Sequence, residues 1–149
     1  MKARDIMTPD PRCVLRGDTI ATAARFMEHL NCGGLPVVKS PETMELLGMI
    51  TDRDITIRCT AHGHDPTECL VEDHLTRNPH WLRPDATVDE IADLMSRAQI
   101  RRVPIVQGRD HKVVGIVALA DLVIRAGRPE ICEKVVERVS QPAPVTIPE

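Results

Sequence analysis

Gly48-Met49-Ile50-Thr51-Asp52-Arg53-Asp54 returns 67 residues later as Gly115-Ile116-Val117-Ala118-Leu119-Ala120-Asp121. In both copies an apolar run containing one glycine leads to an aspartate near the start of a helix. Upstream the match continues at an offset of 68 residues, after one loop deletion. Arg4–Val38 falls on Glu72–Val106. Asp5 meets Asp73, Thr8 meets Thr76, Pro11 meets Pro79, Thr19 meets Thr87 and Ala24 meets Ala92. Met27, Pro36 and Val38 meet Met95, Pro104 and Val106. Self-similarity at a fixed period is the mark of a tandem duplication.

Each copy carries the same order of elements. A short strand is predicted at Cys13–Leu15, with a copy at Trp81–Leu82. A helix follows, its buried face spaced at Ile20, Ala23, Met27 and Leu30, and in the copy at Val88, Ile91, Met95 and Ala98. Thr87-Val88-Asp89-Glu90 opens that second helix as a capping box. Two β-rich runs come next, Leu35–Val38 and Leu47–Ile50, joined by Ser40-Pro41-Glu42. A closing helix begins near Asp52 and stops at His62-Gly63, with its copy from about Ala120 to Gly127. The fold class is therefore α+β, with β-α-β-β-α written twice. Residues 1–66 form the first repeat, 67–127 the second, and 128–149 a last helix and an extended tail. That helix is read from Ile131, Val135, Val136 and Val139, and the tail from Pro142, Pro144 and Pro148. A half of about 60 residues is marginal alone, so the halves should pack as one body.

Composition narrows the functions. Phe26 and Trp81 are the only aromatics in a chain that is 42% hydrophobic, so the core is aliphatic. A formal charge of −3 lacks the basic footprint of nucleic-acid binding, and two aromatics cannot build stacking platforms for single strands. The longest apolar run, Val113–Ala120, is too short for a membrane span, and Met1–Asp5 carries no leader signal, so a cytoplasmic address is expected. Neither a catalytic triad arrangement nor a phosphate-binding glycine loop is found, so no enzyme is expected.

Thr51-Asp52-Arg53-Asp54 is the informative segment. A helix N-terminus offers free N–H groups to a phosphate, and a carboxylate accepts two hydrogen bonds at once from a ribose diol. The same four residues also satisfy a capping box. The second copy loses the hydroxyl at Ala118 but keeps Asp121.

These motifs, with Asp5-Ile6-Met7-Thr8-Pro9, Leu35-Pro36-Val37-Val38 and Arg101-Arg102-Val103-Pro104-Ile105-Val106, resemble the CBS family over about residues 3–127. Paired repeats in that family form a Bateman module with pseudo-two-fold symmetry. The chain looks most like its short stand-alone bacterial members, hypoxic-response proteins among them. The resemblance implies a regulatory module that binds an adenine nucleotide, AMP foremost, with ADP, ATP, NAD or S-adenosylmethionine as alternatives. It also implies a homodimer built through helical faces, and an unidentified regulated protein as partner. Carried over by position, site one would hold Asp54, Thr51, Arg53 and Gly34, with Thr76 and Trp81 from the other repeat. Site two would hold Asp121, Arg101, Arg102 and Ile100, with Thr8 and Cys13. Arg101 and Arg102 also read as a solvated turn, and Trp81 as core packing.

Two cysteine readings stand beside this one. Cys13 and Cys132 lie near opposite ends of the chain, and a bridge between them would make a redox switch. Cys59, His62, His64 and Cys69 offer zinc-ligand types, but their spacing fits no standard pattern, so no metal site is expected. A ligand-free stress or protein-interaction module is the remaining alternative.

Overall fold

The computed structural model describes residues 1–142. The chain opens with a single helical turn, α1 (Ala3–Ile6), and a two-residue strand, β1 (Thr8–Pro9). Then follow β2 (Val14–Leu15), α2 (Ile20–Leu30), β3 (Gly34–Val38), β4 (Leu46–Thr51) and α3 (Asp52–Asp54). The α3 turn runs on through a π-helical turn, Ile55–Cys59, and a 3-10 turn, Thr60–His62, before Gly63 stops it in the left-handed region at φ 70°. The second half has β5 (Thr76–Arg77), α4 (Val88–Ala98), β6 (Arg102–Gln107), β7 (Lys112–Ala118) and α5 (Leu119–Ile124). A last helix, α6 (Pro129–Val139), closes the described chain. The expected tail at Pro144 and Pro148 lies outside the described residues.

The helix ends follow the sequence closely. Thr19 caps α2 by accepting from the Thr22 N–H at 3.2 Å. Thr87 and Glu90 form the expected reciprocal box on α4, at 2.7 and 3.1 Å. Ile20, Ala23 and Met27 are buried as predicted, while Leu30 stays exposed because α2 runs past the edge of its core.

The two sheets trade strands. One has the order β2-β3-β4-β5 and the other β1-β7-β6. Thus β5, from the second half, pairs antiparallel with β4 of the first half, Thr76 opposite Met49. In return β1, from the first half, pairs with β7 of the second, Thr8 opposite Ile116. The cores are exchanged likewise. Ala3 and Ile6 are buried among Ile91, Met95, Val103 and Val117, whereas Val71 and Leu75 are buried among Ile20, Val37 and Ile50. A third small cluster, Val38, Val106 and Val113, joins the halves near the hairpin ends. Helix α6 packs on α4 and α5, with Cys132 and Val135 buried beneath it. Neither half can complete its sheet or its core without the other.

Gly48 and Gly115 make the exchange possible. A Cβ at Gly48 would collide with the Thr76 carbonyl and Leu75 Cδ1, and one at Gly115 would collide with the Met7 side chain. The recurring glycine of the two sequence motifs is therefore the place where the other repeat's segment crosses the hairpin at close range.

Candidate functional site

At the first β-to-α junction Thr51 and Asp54 form the reciprocal box. Thr51 N–H donates to Asp54 Oδ2 at 3.0 Å, and Asp54 N–H donates to Thr51 Oγ1 at 3.1 Å. The same carboxylate faces the exchanged strand. Thr76 Oγ1 donates to Asp54 Oδ1 at 3.3 Å, and Arg58 Nε lies 3.7 Å from that oxygen. One carboxylate thus both caps its own turn and meets the exchanged strand.

The second junction keeps half of this. Ala118 N–H donates to Asp121 Oδ2 at 2.7 Å, and Arg125 Nε lies 3.4 Å from Oδ1. Ala118 has no hydroxyl to return the bond. Among the described residues no hydrogen bond joins Thr8 to Asp121. The second carboxylate therefore keeps more unused acceptor capacity.

Arg58 and Arg125 went unnoticed in the sequence. Each stands one helical turn after its aspartate and reaches the backbone of the other repeat's incoming segment. Arg58 Nη1 donates to the Leu75 carbonyl at 2.9 Å, and Arg125 Nη1 to the Met7 carbonyl at 3.0 Å. The signal was present, since Arg58 falls on Arg125 at the offset of 67. Its meaning depends on carbonyls that only the exchange brings near. Each arginine fastens the other repeat's segment and fixes its own aspartate, a charge-assisted arrangement on both sides.

Arg102 pairs through its backbone with Ala118 at the second junction, while its side chain reaches toward Gly33 and Gly34 at the first. A Cβ on Gly34 would lie 3.3 Å from Arg102 Cδ and 3.5 Å from Thr51 Cγ2. A Cβ on Gly33 would lie 3.3 Å from Arg102 Nη2 and 2.9 Å from Asp52 Oδ2. Positions 34 and 102 are repeat equivalents, yet they touch, because they face each other across the pseudo-two-fold axis. Glycine at 34 leaves the Arg102 side chain room that a larger side chain there would crowd. The guanidinium consequently sits at the rim of the first junction.

The remaining candidates are more dispersed. Arg53 is exposed and lines a shallow depression of about 320 Å³ with Asp52, Thr56 and Ile57; Asp54 is not in that lining. Arg101 is exposed, and its carbonyl accepts from Leu119 N–H at 2.8 Å, as Gly33 accepts from Asp52. Ile100 is half-buried against the second core. Trp81, 37% exposed, packs on His111 with ring centroids 4.7 Å apart, and the Arg83 guanidinium lies 5.0 Å from its ring. These contacts place Trp81 beside the β6–β7 turn.

Cys13 and Cys132 are free thiols. Cys13 packs with Leu15, Met44 and Leu46, whereas Cys132 faces the Leu119 carbonyl from α6. Burial pushes the Cys13 thiol up to about 12, against a smaller opposing pull from Arg12. A thiol held protonated is a poor nucleophile, so this geometry lends the Cys13–Cys132 switch no support. Among the described residues no helix is long and apolar enough to cross a membrane.

Residues 3–59 and again 71–126 match the family described as CBS domain. Hypoxic response protein 1 of Mycobacterium tuberculosis is 34% identical over 120 residues, covering 80% of this chain and 81% of that protein. A solved structure of Hypoxic Response Protein I with two coordinated zinc ions gives a TM-score of 0.75 over 83% of this chain and 97% of that one, at 34% identity. The CBS domain-containing protein YhcV of Bacillus subtilis is 40% identical over 125 residues, 81% of this chain and 82% of that protein. The CBS domain pair of protein MJ0100, solved with 5-methylthioadenosine and S-adenosyl-L-methionine, gives a TM-score of 0.74 over 87% of this chain and 98% of that one, at 29% identity. Repeated halves, exchanged strands and these matches agree: the chain belongs to the CBS domain family, as a tandem pair of repeats.

Proposed function

We propose that this CBS pair is a non-catalytic regulatory module that binds an adenosyl ligand, AMP foremost, at its two β-to-α junctions. One observation carries the reading. Asp54 and Asp121 stand at equivalent junctions, each anchored through one oxygen to its own turn and braced by an arginine that grips the opposite repeat. A diol bound to either carboxylate would therefore load a contact between the repeats. Binding then shifts the population of inter-repeat arrangements, which is how a module without catalytic groups transmits a signal. The adenosyl ligands of the MJ0100 pair support the ligand class. Arg102, at the rim of the first junction, would meet phosphate there alongside Thr51 and Arg53. Asp121 offers the freer carboxylate with less cationic support. Unequal affinities follow.

Isothermal titration against AMP, ADP, ATP, NAD, S-adenosylmethionine and GTP tests this reading. Saturable heat with at least one adenosyl ligand and none with GTP is the expected result. No heat with any of them would sink it and promote the ligand-free interaction module.

The same reading includes a homodimer. Ile57 on the π turn and Ile124 on α5 are repeat equivalents, and Ile124 is 79% exposed with Val123 beside it. An apolar pair related by the pseudo-two-fold axis suits a second copy of this chain. Light scattering should give twice the 16.6 kDa chain mass, and the Ile57→Asp/Ile124→Asp double variant should give the monomer mass. A dimer that survives both substitutions would place the interface elsewhere.

A further inference from the structure

We infer that Cys59, Cys69 and His74 form a metal site for a divalent cation such as Zn2+, where the second repeat's incoming segment meets the first repeat, with no counterpart beside the second junction. One donor atom from each of the three lies within 4.8 Å of the others. Donors around a tetrahedral zinc stand about 3.3–3.8 Å apart at ordinary Zn–S and Zn–N lengths, so closure asks for shifts of about 1 Å or less. Two thiols with one imidazole select zinc over magnesium or calcium, which prefer oxygen.

His74 makes the strongest case. It is 6% exposed, the one buried polar or charged side chain among the described residues. Its repeat equivalent is Ile6, which is 0% exposed and wholly apolar. A histidine buried where the fold elsewhere places isoleucine is held by a polar partner. Its Nδ1 lies 3.0 Å from the Leu70 carbonyl. Donation there leaves the Nε2 lone pair free, the tautomer and outer-shell carbonyl typical of a metal-bound histidine. By the repeat offsets Cys59 corresponds to Ala126 and Cys69 to Met1, so nothing equivalent exists beside the second junction.

Local backbone delivers the ligands. The π-helical turn Ile55–Cys59 replaces the regular turn seen in α5 and ends on the buried Cys59; such turns cluster at functional positions. On binding, the two thiol protons leave to solvent and both sulfurs coordinate as thiolates. His64 stands beside the cluster as a further donor, its ring edge-on and 5.8 Å from that of His74. The spacing of Cys59, His62, His64 and Cys69 argued against a site; the fold substitutes His74 for His62, from beyond the loop.

The site would clasp the end of the α3 segment to the linker that carries Leu75 and Thr76, the partners of Arg58 and Asp54. Metal loading would thereby lock the strand exchange on one side only. The inference stands without the nucleotide reading.

The full chain, reduced and stripped with a chelator, should be titrated with Co2+. One equivalent should give the intense visible bands of tetrahedral thiolate coordination, and one equivalent of Zn2+ should erase them and raise the melting temperature. His74→Ile installs the residue that the other half uses at this position, so it should fold; it should lose those bands, as should Cys69→Ser. Bands that persist in both variants, or a reduced wild-type chain that shows only the weak spectrum of octahedral cobalt, would overturn the inference. So would recovery of Cys59 and Cys69 as a disulfide from a chain whose reduced form takes up no cobalt.

Discussion

Gly48→Val should lower the melting temperature by roughly 6–12 °C, and Gly115→Val by distinctly less. The first valine would push its Cβ into the Thr76 carbonyl, which is held in the β4–β5 ladder and cannot yield without unpairing the exchanged strand. The second would meet only the Met7 side chain, whose unbranched thioether can swing aside. Overpacking of this kind costs about 1–3 kcal/mol, with the rigid site at the upper end. A domain of this size loses about 2–4 °C per kcal/mol. Valine favours strands, so propensity acts against the expected loss in both variants. Thermal unfolding followed by circular dichroism checks the pair. Equal losses, or a larger one at Gly115, would mean that the crossing segments are not pinned as described.

Asp54→Ala and Asp121→Ala should each weaken an adenosyl ligand at their own junction about 10- to 100-fold and leave the other junction unchanged. A charge-assisted hydrogen bond to a carboxylate contributes about 1.5–3 kcal/mol, which sets that range. Independence follows because, among the described residues, no hydrogen bond or ion pair links the two carboxylates or their arginines. The structural costs differ in the opposite sense to simple symmetry. Asp54 also satisfies Thr51 N–H, Thr76 and Arg58, whereas Asp121 satisfies Ala118 N–H and Arg125. Asp54→Ala should therefore melt lower than Asp121→Ala when free of ligand. Titration calorimetry reads the affinities and a thermal melt reads the stabilities. If both variants lost both binding events together, the two junctions would be one coupled site.

Much of this architecture was legible because the duplication is written in identities that a fixed offset exposes. Thr19, Thr87, Asp54 and Asp121 all mark helix starts by chemistry that acts over three residues, and local chemistry is what a sequence displays. The exchange was not legible. Thr8–Pro9 and Thr76–Arg77 are strands of two residues, too short to show any period, and their partners lie more than 25 positions away. Gly33-Gly34 stands where the second half has Arg101-Arg102, and only in space does the Arg102 side chain come to lie against Gly34. Arg58 and Arg125 matched in register, yet their acceptors are carbonyls, which carry no residue-specific signal. His74 looked like part of the motif copy of Asp5–Thr8, and only burial separates it from an ordinary loop histidine.

The most direct test of the central claim is a crystal structure of this chain grown with an adenosyl ligand at a concentration that saturates it in solution. The ribose hydroxyls should be found on the carboxylate of Asp54 or Asp121, with the exchanged strand, Thr76 or Thr8, alongside. A nucleotide seated instead in the hollow at the hairpin ends, lined by Glu42, Thr43, Arg109 and Lys112, or absent from both junctions, would contradict the account.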